Sequence, residues 1–131
     1  MNLNDYQNSA LYTAISQDIE YDVSHFGFGL VAEAGELAGI FQKYFRGDKR
    51  YRMPMESKDI LDVDWEGFTD EATDKVKLEL GDVLWHVAVL AETFGFTLEQ
   101  IAEANIKKPH NRMEEGTIKG DGDYRSLVLH Q

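Results

Sequence analysis

Apolar positions recur at helical spacing along most of the chain, and no stretch alternates as a strand would. Leu3, Tyr6, Ala10, Ala14, Ile15 and Ile19 predict a first helix over residues 3–20, with Asn2 or Asn4 as its cap. From His25 to Gly47 the side chains of Leu30, Leu37, Ile40, Phe41, Tyr44 and Phe45 form a second apolar face, and Gly47 is a natural stop. Gly35 and Gly39 lower helix propensity there, which suits a close helix neighbour. A third helix starts at Asp70 or Asp74 and runs to Thr93, with Gly95 as its stop. Its residues Leu78, Val83, Leu84, Val87, Val89, Leu90 and Phe94 predict a largely buried segment. Thr97 and Gln100 form a capping box for a fourth helix, whose apolar side is Leu98, Ile101, Ala102 and Ile106 and which Pro109 should end.

Between the second and third helices, residues 46–73 break the pattern. They hold Pro54, several acids, and a weak helical segment near Ser57–Leu61. Trp65 and Phe68 read as pegs that hold this long connection to the core, with base stacking as the alternative. The tail from His110 has glycines at 116, 120 and 122 and reads as irregular chain. The expected fold is all-α: a single domain, residues 1–131, resembling a four-helix bundle with a long inter-helix loop and an irregular C-terminal tail.

Composition narrows the function classes. The chain has 131 residues, 43% of them hydrophobic, which is enough for one core. It has no cysteine, so thiolate metal sites and disulfides are excluded. The formal net charge of −11 argues against a nucleic-acid partner. No apolar run has the length of a membrane span, and the start lacks the pattern of a secretory signal. A soluble, cytoplasmic protein is the expectation. Charge is uneven: from Glu56 to Asp82 acids outnumber lysines ten to three, while Arg46, Lys49, Arg50 and Arg52 form a basic cluster just before.

Two acid pairs carry the candidate chemistry. Glu33 and Glu36 lie three apart on the second helix, and Glu79 and Asp82 three apart on the third. Four carboxylates on apolar helices suit magnesium or manganese, and oxygen-only ligation is poor for zinc. A single such pair is usually solvated surface; two change the balance. A di-iron bundle would need Glu-x-x-His pairs, and none of the histidines (25, 86, 110, 130) has a glutamate three before it. His86, one turn beyond Asp82, suits a ligand hydrogen bond or an ordinary packed histidine equally. Asn105, Lys108 and Arg112 make a polar, cationic stripe suited to phosphate, and Lys43 lies two turns beyond Glu36. Tyr6, Phe26, Trp65, Trp85 and His86 are unranked candidates for a base pocket.

The stretches GLVAEAGELAGIFQKYFRG and LELGDVLWHVAVLAETFGFTLEQIAEANIKK, with the later GxIxGxGD-R pattern, resemble the MazG-like nucleotide pyrophosphohydrolases of the all-α NTP pyrophosphatase superfamily. The resemblance covers roughly Leu30 to Arg125. It implies that Glu33, Glu36, Glu79 and Asp82 bind magnesium, with manganese as a substitute. It implies that Asn105 and Lys108 contact the nucleotide and that Arg112 fills a following basic position. The implied reaction cleaves a nucleoside triphosphate between its α- and β-phosphates to a monophosphate and pyrophosphate, in a homodimer or homotetramer. Three features depart from the family pattern: Ala32 replaces its first acid, 42 residues separate Glu36 from Glu79, and Pro109 stands where leucine is common. The altered first motif and the long connection leave a same-fold hydrolase of dUTP or phosphoribosyl-ATP as one rival, and the acidic loop from Ser57 to Asp74 suits another, a non-catalytic helical module that binds a basic partner.

Overall fold

The computed structural model describes residues 1–54 and 67–116. They form four α-helices: α1 (Leu3–Thr13), α2 (Ile19–Phe45), α3 (Asp70–Thr93) and α4 (Leu98–Glu115). The all-α expectation holds, and the only bridge among the described residues is an isolated antiparallel one between Arg52 and Phe68. No helix among them is long and apolar enough to cross a membrane.

Local chemistry accounts for the boundaries. Asn2 and Asp5 make a reciprocal capping box at the start of α1. The first helix is shorter than its periodicity suggests, and the second starts before His25. Ala14 turns to an extended conformation, and Asp18 caps α2 by accepting from the Tyr21 amide at 2.8 Å. Buried Asp22 then accepts from the Ser16 hydroxyl and from the Gln17 amide. Ser16, Gln17 and Asp18 therefore form a turn held by carboxylates, which overrides the apolar spacing through Ile15 and Ile19. Thr69 caps α3, and the Thr97–Gln100 box caps α4 as expected. Pro109 does not end α4. The helix runs on to a left-handed Gly116 at φ +71°, because one missing amide costs a single bond in an otherwise solvated helix. Asn105, Lys108 and Arg112 thus share one continuous helix.

Helices α2 and α3 pack antiparallel and make the main contact of the fold. Two apolar clusters lie on this seam. At one end Phe26, Ala88 and Val89 join Ala10 of α1 and Leu98 of α4, with Trp85 packed beside them. At the other end Ile40 and Tyr44 meet Tyr51 and Ala72, flanked by Phe45, Phe68 and Val76. Phe68 stacks on Tyr44 with ring centres 3.8 Å apart, so it does peg the connection to the core. Backbone bonds from Met53 to Gly67 (2.8 Å) and from Thr69 to Tyr51 (3.1 Å) tie the two ends of that connection together. The weak helix near 57–61, Trp65 and the tail from residue 117 lie outside the described residues.

α3 is less buried than its composition suggests: Leu78, Leu84 and Phe94 are exposed, because α1, α2 and α4 cover only part of its circumference. Among the described residues nothing approaches Gly35 or Gly39 closely; Gly29 has that role instead.

Gln7 joins three helices. Its buried side chain donates to the carbonyls of Ala88 (3.1 Å) and Phe96 (3.0 Å) and accepts from the Leu98 amide (2.8 Å). That amide is one of the orphan donors at the start of α4. Gln7→Ala should lower the unfolding free energy by about 2–3 kcal/mol in urea titration, since it strands buried polar groups. A loss near zero would show that the clamp is dispensable.

Candidate metal centre

The acid pairs sit between the two apolar clusters, where the α2–α3 seam changes from apolar to polar. One carboxylate oxygen each from Glu33, Glu79 and Asp82 can be chosen so that all lie within 4.8 Å of one another. Glu33 and Glu79 are half-buried and Asp82 lies at the exposed rim. Glu36 is exposed and stands outside this triad, although its charge is felt at Glu79. The four acids therefore form a triad with one outlying carboxylate.

Glu79 is the focus of the electrostatics. Its Oε2 is buried without a hydrogen-bond partner among the described residues. Burial raises its pKa first, followed by the charges of Glu36, Asp82 and Glu33 and a hydrogen bond with Glu33. An orphaned buried oxygen among converging carboxylates fits a hard divalent cation, which would satisfy the oxygen and cancel the repulsion.

The seam beside the triad is set by a glycine. A Cβ on Gly29 would fall 2.4 Å from His86 Nε2 and 2.6 Å from its Cδ2. His86 Nδ1 lies 2.8 Å from the Asp82 carbonyl oxygen, so the ring donates there and its other edge lies on the α2 backbone. Gly29 is one turn before Glu33, and His86 one turn after Asp82. This contact therefore fixes the helix spacing next to the acids. It gives His86 a packing role, with Trp85 edge-on beside it.

α1 contributes Tyr6, whose phenol is raised by burial and by the charge of nearby Asp82. Tyr6 also lines a pocket of about 680 Å³ with Asn2, Leu3, Leu84 and Glu99. Of the other base-pocket candidates, Phe26 is buried in the core, edge-on to Trp85. Trp85 donates to Thr13 Oγ1 at 2.8 Å. On α4, Asn105 and Lys108 are exposed and Arg112 is half-buried. The charges acting on Glu79 come from the other acids and none from α4. Lys43 reaches the Tyr51 ring, with its Nζ 5.2 Å from the centroid.

The profile of the MazG nucleotide pyrophosphohydrolase domain matches residues 26–117, which hold all four acids. The chain belongs to the MazG nucleotide pyrophosphohydrolase family. The match begins inside α2 and ends just after α4, so it spans the α2–α3 seam and leaves out the α1 clamp. The chain is also 34% identical over 130 residues to the Gene 37 protein of Mycobacterium phage L5, covering 95% of this chain and 100% of that relative. No solved structure matches significantly. Within the MazG region, Gly29 is the residue that acid spacing alone does not single out; the signal was the Gly27-Phe28-Gly29 opening of the motif.

Two outcomes follow for the metal-free protein. Gly29→Ala should cost about 1–3 kcal/mol of stability, because the new methyl and the His86 ring claim the same space. Gly29→Ala combined with His86→Ala should recover much of that loss; no recovery in denaturant titration would separate the two residues. The raised pKa of Glu79 means that the folded state keeps this proton to higher pH than the unfolded chain does. Its contribution is full below the ordinary 4.5 and is lost as pH rises through the folded value. Glu79→Gln should therefore gain stability relative to the parent as pH rises above 4.5 in EDTA. A pH-independent difference would contradict this.

Proposed function

We propose that this chain is a divalent-metal-dependent pyrophosphohydrolase that cleaves nucleoside triphosphates between the α- and β-phosphates, releasing a monophosphate and pyrophosphate. The observation that carries this reading is the Glu33–Glu79–Asp82 triad with its unpartnered buried oxygen, inside a MazG-family domain.

Glu33, Glu79 and Asp82 would hold magnesium, with manganese as a substitute. The cation, when bound, supplies charge that neutralises phosphate oxygens and makes water a better nucleophile. Glu36, exposed beside the triad, would orient the attacking water and accept its proton. Tyr6 and its pocket lie on the Asp82 side and suit the nucleoside. The stripe of Asn105, Lys108 and Arg112 on α4 offers hydrogen bonds and positive charge to phosphate oxygens. His86 contributes by holding the seam beside Asp82.

A homodimer, or a tetramer of dimers, is part of the proposal. Phe28 and Val31 are 75% and 70% exposed and share a groove with Ile19, Val23 and Gly27 on the outer face of α2. Leu80 and Phe94 are exposed on α3 and just beyond it. So much apolar surface on a small domain suits a second copy.

The test is pyrophosphate release from a panel of NTPs and dNTPs, with dUTP and phosphoribosyl-ATP included, in Mg²⁺, Mn²⁺ and EDTA. Activity should require the metal, and the matching monophosphate should appear. Glu79→Gln and Asp82→Asn should each lose about 100-fold or more in kcat/KM while keeping their helical circular dichroism. Glu36→Gln should lower kcat more than it weakens Mn²⁺ binding. Orthophosphate as the sole product, or near-normal activity in the Asp82 variant, would refute the mechanism.

A further inference from the structure

A cationic and aromatic cluster lies at one end of the α2–α3 seam, on the same side as the acids. Lys43 is seven residues after Glu36 on α2, and Lys75 is seven before Asp82 on α3. Because the helices are antiparallel, both intervals run towards the same end. Lys75 is also four residues, about 6 Å of helix rise, from Glu79.

The two lysines converge on Tyr51, in the turn after α2. Lys75 Nζ donates to the Tyr51 hydroxyl at 2.8 Å, and Lys43 Nζ lies over the ring, 5.2 Å from its centroid. Arg50 lies over the same ring, 5.9 Å from its centroid. Glu71 pairs with Arg50 at 2.6 Å and with Lys75 at 3.6 Å. Among the described residues, Lys43, Arg50 and Lys75 thus gather around one ring, with Glu71 paired to two of them and the charge of Asp48 acting on Arg50, in a chain whose formal net charge is −11. The Tyr51 ring itself is buried and rigid in the second apolar cluster, while the side chains of Arg50 and Lys75 stay 65% and 39% exposed.

Lys75 shares Glu71 with Arg50, and the partner that Lys43 and Lys75 have in common is a phenol, which carries no full charge to cancel theirs. The arrangement holds two ammonium groups ready for an anion at a fixed distance from the carboxylates. Tyr6 and its pocket lie beside Asp82, towards the other end of the seam. A nucleotide crossing the triad with its base at Tyr6 would carry its outer phosphates towards Lys75.

We infer that Lys43, Lys75 and Tyr51, with Arg50 at the rim, form a subsite for the terminal phosphate of a triphosphate, next to the Glu33–Glu79–Asp82 triad. The assignment rests on the pyrophosphohydrolase reading above and adds to it a determinant of triphosphate over diphosphate selection. Tyr51 acts as a positioning residue, and the two ammonium groups make the contact.

The probe is inorganic tripolyphosphate with Mg²⁺, titrated calorimetrically into the full chain. Lys43→Gln/Lys75→Gln should weaken its binding by about 30-fold or more, the loss expected for two charge-assisted hydrogen bonds. Mn²⁺ affinity without phosphate should stay within about twofold, since no ligand is touched. The ratio of kcat/KM for a nucleoside triphosphate over its diphosphate should fall by about tenfold, mainly through KM. Tyr51→Phe should give part of that loss, and Lys49→Gln, a nearby exposed charge, none. Unchanged tripolyphosphate affinity in the double variant would overturn the subsite, as would loss of Mn²⁺ and tripolyphosphate binding together, which marks the lysines as scaffold. A wild-type chain that cleaves no nucleoside triphosphate, yet binds tripolyphosphate through these lysines, would sink the proposed function and leave the anion site standing.

Discussion

Three carboxylates are held together against their own repulsion, and the rest of the molecule is arranged around that constraint. Two full charges 4.8 Å apart repel by roughly 3–4 kcal/mol at an effective dielectric near 20. The opposing force comes from apolar contact on both sides of the triad. Phe26 is fully buried at one end of the α2–α3 seam and Tyr44 at the other. With both ends anchored, the helices cannot splay at the middle. Relief comes through the protonation of Glu79, or through a cation. The residue most out of place in an apoprotein is thus the one that fits a metal best.

The remaining elements make that seam rigid. α1 crosses α3 and fixes the start of α4 through Gln7, whose amide answers three backbone groups at once. Asn4 adds two contacts to Glu99 on the same α1–α4 edge. The connection after α2 returns to where it left, through Met53, Gly67 and Tyr51, so the start of α3 is tied to the end of α2. Gly29 and His86 then set the helix separation one turn from the ligands. Anchoring of this kind holds a site to the sub-ångström tolerance that metal coordination demands.

Charge is organised by position. The acidic majority of the chain favours cations at the triad, while Lys43, Arg50 and Lys75 gather one to two turns away around Tyr51. In the proposed reading, opposite charges in line along one seam would meet a substrate that alternates cation and phosphate, so that an acidic chain would need no generally basic surface.

Helix existence and the acid pairs were legible from spacing alone. Local capping chemistry is written in the sequence, and Thr97 with Gln100, and Gly95, act as it says. Spacing also puts Glu33 with Glu36 and Glu79 with Asp82 on single faces. It does not give depth or register across helices. Only the packed structure distinguishes Glu36, which is exposed though its charge acts on Glu79, from the convergent oxygens of Glu33, Glu79 and Asp82. Only packing decides that Leu78 and Phe94 stay exposed and that the close approach falls at Gly29 rather than Gly35 or Gly39. The break between α1 and α2 depends on Asp22 reaching back to Ser16 and Gln17, which periodicity cannot register. Lys43, Tyr51 and Lys75 come from three separate stretches of chain. Their meeting follows from the antiparallel register of α2 and α3, a relation between helices that no single helix encodes.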